Sequence, residues 1–208
     1  MIEPDTPLAE IAWALDQSGI PVDLQRGDEI VPFERLQILL LTDEKDRDFV
    51  VQVMFVDDLV DNMPLTAEVL GEDLDDELLD EEDDDDAVIL LFSTILPYRA
   101  KPSSAGDLAR LLMVVNRLLP IGAFGYIERD QGLYLAYPLT LLSRDALEGR
   151  VLEGVINRLI FAIESYNGLI EAVATGSKTA DDVFAEIEEM GMPLPPLGEP
   201  HVMKQRRH

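Results

Sequence analysis

The chain has 208 residues, 47% of them hydrophobic and 28% charged, with 42 Asp plus Glu against 16 Lys plus Arg for a net charge of −26. That apolar share is enough for one sizeable core and excludes wholesale disorder, while the lack of clustered Lys and Arg excludes direct nucleic-acid binding by phosphate neutralisation. With no Cys, disulfides, thiolate catalysis and Cys-ligated zinc are excluded as well.

In chain order, Thr6-Pro7 predicts an N-cap followed by proline at the first helical position, and Leu8, Ile11, Ala12 and Leu15 then recur at helical spacing. Gly19 suits the residue just past the helix end. A short strand is expected over Pro21 to Leu24, turning at Arg26-Gly27-Asp28. Two longer strands follow. Leu36, Ile38 and Leu40 share one face of Phe33 to Thr42, and beyond the polar turn Asp43 to Asp46 the strand Phe49 to Val56 places Val51, Val53 and Phe55 together. Its opposite face carries Val50, Met54 and Val56 with only Gln52 polar, so that strand is either covered twice or offers an apolar strip to a partner.

Residues 57–86 hold 16 of the acids and no Lys or Arg, more than half of the charge excess. Leu65, Val69, Leu70, Leu74 and Leu78 would line a helix beginning at Thr66, and Asp80 to Asp86 would be solvated coil. Ala87 to Leu96 predicts a central strand closed by Pro97. Ser104 and Asp107 form a capping-box pattern ahead of the stripe Leu108, Leu111, Leu112, Val115, Leu118 and Leu119. A hairpin follows Pro120, with its turn at Arg129 to Gly132, and Pro138 places the return strand at an edge or at its end.

Ser143 is expected to cap a long helix toward Thr175, with the stripe Leu147, Val151, Val155, Leu159, Ile163, Tyr166 and Ile170. A second row, Leu152, Ile156 and Ile160, makes the apolar face wider than one sheet covers. Gly149, Gly154 and Gly168 would permit close packing or a kink, and Gly176 ends the helix. Thr179 and Asp182 make another capping-box pair for a short acidic helix carrying Val183, Phe184, Ile187 and Met190. A Pro-rich tail follows, with both histidines, His201 and His208, in it. Residues 1–176 are thus read as one domain with an acidic insertion at 57–86, and 177–208 as an appendage.

The order helix, strands, helix, hairpin, long helix predicts an α+β fold, an antiparallel sheet with flanking helices. The capped helix Ser104 to Leu119 with Asn116 near its end carries a family likeness. So do the segments Ile121-Gly122-Ala123-Phe124-Gly125-Tyr126 and Gly132-Leu133-Tyr134-Leu135, and the ending Ile170 to Gly176. On these residues the chain resembles the YbjN family and the related class I type III secretion chaperone fold over about Thr6 to Gly176. The resemblance implies a small acidic protein that dimerises and binds other polypeptides without hydrolysing anything. It supplies no catalytic residues.

The remaining chemistry agrees with a binding role. Neither histidine sits where a general base would be held rigidly, and no glycine-rich phosphate loop occurs. Asp73, Asp75 and Glu77 alternate as in a calcium loop, but the position that needs Gly is Leu78. No catalytic, cofactor-binding or metal-binding residue is therefore assigned, and no cofactor. A soluble cytoplasmic protein of bacterial style is expected, because Met1 to Leu15 lacks a basic signal-peptide start and no apolar run reaches the ~18 residues of a membrane span. The expected function is a non-enzymatic chaperone-like or adaptor protein, a homodimer that holds a polypeptide partner, basic or charge-mixed. Val50, Met54, Val56, Leu152, Ile156 and Ile160 would form the partner or dimer interface. The alternative is an acidic mimic or regulator that occupies a basic, nucleic-acid-binding surface of a partner protein.

Overall fold

In the structure, a computed structural model, residues 4–28, 31–62, 87–143 and 149–189 are described. Helix α1 spans Pro7–Gln17, and Thr6 caps it as its Oγ1 accepts from the Ala9 N–H at 3.2 Å. At its end the Gly19 N–H donates to the Asp16 carbonyl and the Ile20 N–H to the Leu15 carbonyl. Gly19 stands at φ +79, so these two bonds form the left-handed exit that glycine takes without a Cβ penalty.

Six strands form one antiparallel sheet in the order β1-β2-β3-β4-β6-β5. They are β1 Val22–Gln25, β2 Arg35–Thr42, β3 Asp48–Phe55, β4 Val88–Arg99, β5 Ala123–Ile127 and β6 Gly132–Leu141. Period-two alternation aims Leu36, Ile38, Val51, Val53, Leu90, Phe92, Leu133 and Leu135 at one face, and all eight are fully buried. On that face lie α1, α3 (Ala105–Leu118), α4 (Gly149–Ala174) and α5 (Ala180–Glu189), whose inward side chains join the strands in one core cluster. Helix α2 (Val56–Asn62) lies against β3 and β4 and adds no described side chain to that cluster. The α+β antiparallel class is as the element order required.

Several local expectations are corrected. β4 runs through Pro97 to Arg99, because its pairing with β6 shifts register between Ile95 and Arg99 and so accommodates a residue without a donor. Pro138 sits in an interior strand, opposite Leu91. β5 pairs only as far as Ala136, so at Pro138 the other side of β6 is locally an edge. Ser104 makes no capping hydrogen bond; a 3-10 turn, Pro102–Ser104, leads into α3 instead. The long helix is described from Gly149 onward; residues 144–148, which join it to the expected cap at Ser143, and the proposed helix from Thr66 lie outside the described residues. Gly168 meets nothing within 4 Å and Gly149 only Ala14 Cβ at 4.0 Å, so neither marks a close approach.

The segment after Ser177 begins inside the domain. Thr179 Oγ1 accepts from the Asp182 N–H at 3.2 Å, and the Asp182 carboxylate accepts from the Thr179 N–H at 2.8 Å, a reciprocal capping box. The backbone N–H of Thr179 and then its hydroxyl hold the Asp182 carboxyl below the usual carboxylate range. Ala180 and Val183 are fully buried and Ile187 nearly so, because α5 packs on α3, where Arg110 donates to Asp181 at 2.6 Å.

Candidate interaction surface

The face of the sheet turned away from the core has its own pattern. Asp23, Gln37, Gln52, Ser93, Ala136 and Ala123 pair in succession, one per strand, in a polar and small-residue row across all six strands. Beside it runs an apolar row. Leu39 pairs with Val50 on β2 and β3, and Ile95 pairs with Tyr134, which pairs with Gly125 on β4, β6 and β5. Leu39 is 47% exposed and Ile95 62%. Ile127, two residues past Gly125, is also exposed. At ~4.8 Å per strand the row from β2 to β5 covers about 20 Å.

Tyr134 defines the floor at one end of this row. A Cβ on Gly125 would fall 2.1 Å from Tyr134 Cζ, so the ring lies flat across the glycine. Only a residue without a side chain lets the ring settle there, which keeps the β5 end of the face shallow.

The anticipated interface residues divide between the two faces. Val50 is half-buried within the apolar row, and Met54, four residues on, is 7% exposed and outside the core cluster. Val56 is not a strand residue; it opens α2 and is half-buried. Leu152 (0%) and Ile156 (4%) are sealed in the core of the single chain, and Ile160 packs partly buried against it. The physical reason is lateral: α1 and α3 both pack on α4, so its wide apolar face is covered by helices as well as by the sheet. Val151, placed on the main stripe, is instead 46% exposed. The row Leu152, Ile156 and Ile160 therefore offers no free interface. Leu39 and Ile95 were missed, although the apolar residue between Ile38 and Leu40 was the available signal.

A second feature lies between α4 and the β2–β3 turn, a cleft of about 740 Å³ lined by Asp43, Lys45, Arg47, Glu164, Asn167, Gly168 and Glu171 among others. Asp43 builds the turn, as its Oδ1 accepts from the N–H groups of Lys45 (2.9 Å) and Arg47 (3.0 Å), while Asp46 takes φ 56. Asp43 Oδ2 also accepts from Arg47 Nη2 at 2.6 Å, and Glu171 receives Arg47 through both carboxylate oxygens. The Arg47 guanidinium and the Lys45 ammonium hold the Glu171 carboxyl below its ordinary range, and Arg47 does the same for Asp43. Arg47 also lies 5.5 Å from the centre of the Tyr98 ring, and the Tyr98 hydroxyl donates to Asn167 Oδ1 at 2.8 Å. Burial pushes the Tyr98 phenol up. Ion pairs join Asp43, Lys45, Arg47 and Glu171, and a hydrogen bond joins Tyr98 to Asn167, so the arrangement is a clasp between hairpin and helix.

Among the described residues no group of three or more His, Cys, Asp or Glu stands close enough to hold a metal ion, and no helix is long and apolar enough to cross a membrane. The chain matches no protein-family model and no curated protein sequence.

Proposed function

We propose that this protein is a non-enzymatic, chaperone-like or adaptor protein that holds a polypeptide segment on the open face of its sheet. The observation that carries the reading is the apolar row Leu39, Val50, Ile95 and Tyr134, which no core-forming helix covers. Contiguous exposed apolar surface of this kind marks contact sites more often than bare solvent-facing surface. The net charge of −26 selects the occupant, a segment with apolar side chains toward the sheet and Lys or Arg around them. The likeness of element order to the YbjN family and class I type III secretion chaperones supports the same role.

A labelled peptide of alternating Leu and Lys, titrated with the full-length protein, tests this. The wild type binds it, and binding weakens as salt rises. Ile95→Asp abolishes binding, whereas Met113→Asp, at a 72% exposed site on α3, leaves it intact. Since Ile95→Asp adds negative charge, purely electrostatic association would survive it, and equal binding by that variant overturns the reading. The acidic-mimic alternative draws on the charge of 57–86: under it, deleting 72–86 abolishes binding, while under our reading the deletion mainly slows association.

A further inference from the structure

The outward side of α4 carries a symmetrical arrangement that the single chain does not use. Phe161, near the helix midpoint, is 51% exposed although Ala162 and Ile163 beside it are buried. Gly154 and Gly168 stand seven residues before and after it, which is nearly two full turns and therefore the same face. Glycine is the poorest helix former after proline; nothing within the chain asks for it at Gly168, and at Gly154 only the Arg158 guanidinium, which donates to the Gly154 carbonyl at 2.9 Å, comes near. A Cβ at Gly168 would meet nothing within 4 Å, and one at Gly154 only the flexible Arg158 guanidinium at 3.1 Å; neither φ is positive. Arg158 and Glu164 lie three residues to either side of Phe161, both exposed, and neither forms an ion pair among the described residues. Asn157 and Ser165 complete the set at four residues to either side.

From this we infer that the outer face of α4 receives the α4 of a second copy, antiparallel, about a twofold axis level with Phe161. Such an axis sets position 161 minus n of one copy level with 161 plus n of the other. Arg158 of each copy then stands level with Glu164 of its mate, twice over, and Gly154 with Gly168. Helical side chains lean toward their own N-terminus, so each Phe161 ring slides past the other toward the glycine of the facing chain. At 1.5 Å per residue the glycines lie about 10 Å from the axis, where they let the two backbones converge. The cleft beside Glu164 and Gly168 leaves room for the N-terminal half of the second helix. An unrelated partner helix would not require the pattern to read the same in both directions. An isologous pair does require it.

This surface lies on the helical side of the molecule, behind the sheet face of the preceding proposal, and the two are independent. Their salt responses also differ. Two copies of charge −26 repel at long range, so added salt favours the dimer, whereas it weakens capture of a basic peptide.

Sedimentation equilibrium of the full-length chain over a concentration series tests the inference. The wild type should populate a dimer reversibly, and Phe161→Asp should raise the dissociation constant at least about tenfold. Arg158→Glu and Glu164→Arg should each weaken the dimer, since each sets like charges level across the axis. The double variant R158E/E164R should return to within about twofold of wild type. All three positions are exposed, and unchanged thermal melting separates loss of association from loss of fold. A chain that stays monomeric throughout, a dimer indifferent to Phe161→Asp, or a double variant no better than the singles would each overturn the assignment.

Discussion

Arg47 and Glu171, separated by 124 residues, meet in a two-pronged ion pair, with Nη1 2.9 Å from Oε1 and Nη2 2.8 Å from Oε2. The side chains keep only 21% and 16% of their exposure, so water competes weakly for either partner. Lys45 Nζ, 2.8 Å from Oε1, and Asp43, which binds Arg47 from the turn side, complete the clasp. Glu171→Ala leaves a largely buried guanidinium with half its partners and should lower unfolding stability by about 2 kcal/mol. Arg47→Lys keeps the charge but loses the planar fork, and about 1 kcal/mol should go with it. Urea titrations followed by circular dichroism check both.

The same clasp carries a pH signature. Because the folded carboxyls of Glu171 and Asp43 are held below their ordinary range, their contribution is fully present above the unfolded carboxylate values of about 4 and is lost as pH falls through the depressed folded values. The urea midpoint of the wild type should therefore approach that of Glu171→Gln as the pH drops from neutrality to below about 3. A constant gap between the two proteins across that range would show that Glu171 is not held as its geometry implies.

The two capping patterns should respond oppositely to alanine. Thr179 makes the reciprocal bonds of a capping box with Asp182, and Thr179→Ala should cost about 1 kcal/mol. Ser104 makes no capping bond, so Ser104→Ala should change stability by less than about 0.5 kcal/mol. Paired thermal melts of the two variants decide it.

Asn116 closes the β5 edge of the sheet. Its Nδ2 donates to the Phe124 carbonyl at 2.9 Å, and its Oδ1 accepts from the Phe124 N–H at 2.8 Å, so one side chain occupies both outward groups of that peptide as a further strand would. Asn116→Leu should cost about 2 kcal/mol and speed amide exchange at Phe124 far more than at Leu135 on the neighbouring strand.

What could be read in advance was whatever is settled within a few residues. The caps at Thr6 and Thr179 and the exits at Gly19 and Gly176 depend on bonds spanning five residues or fewer. Strand alternation likewise groups Leu36 with Ile38, and Val51 with Val53, without reference to the rest of the chain. The order of these elements then led to an antiparallel α+β fold. The Ser104 pattern failed because the residues before it form a 3-10 turn, and its hydroxyl is not aimed at the first helical N–H groups.

Tertiary structure alone decided which of the grouped faces would be covered. Periodicity places Leu152 and Ile156 on one stripe and Leu39 with Val50 on one side of neighbouring strands, but burial depends on what arrives from elsewhere in the chain. Helices α1 and α3 flank α4 and seal Leu152 and Ile156, while no core-forming helix arrives over Leu39 and Ile95. The joining of Arg47 to Glu171 is of the same kind, a meeting of two segments whose local sequences carry no trace of each other. Local hydrogen bonding is written in neighbouring residues, whereas solvent exclusion is a property of the assembled surface.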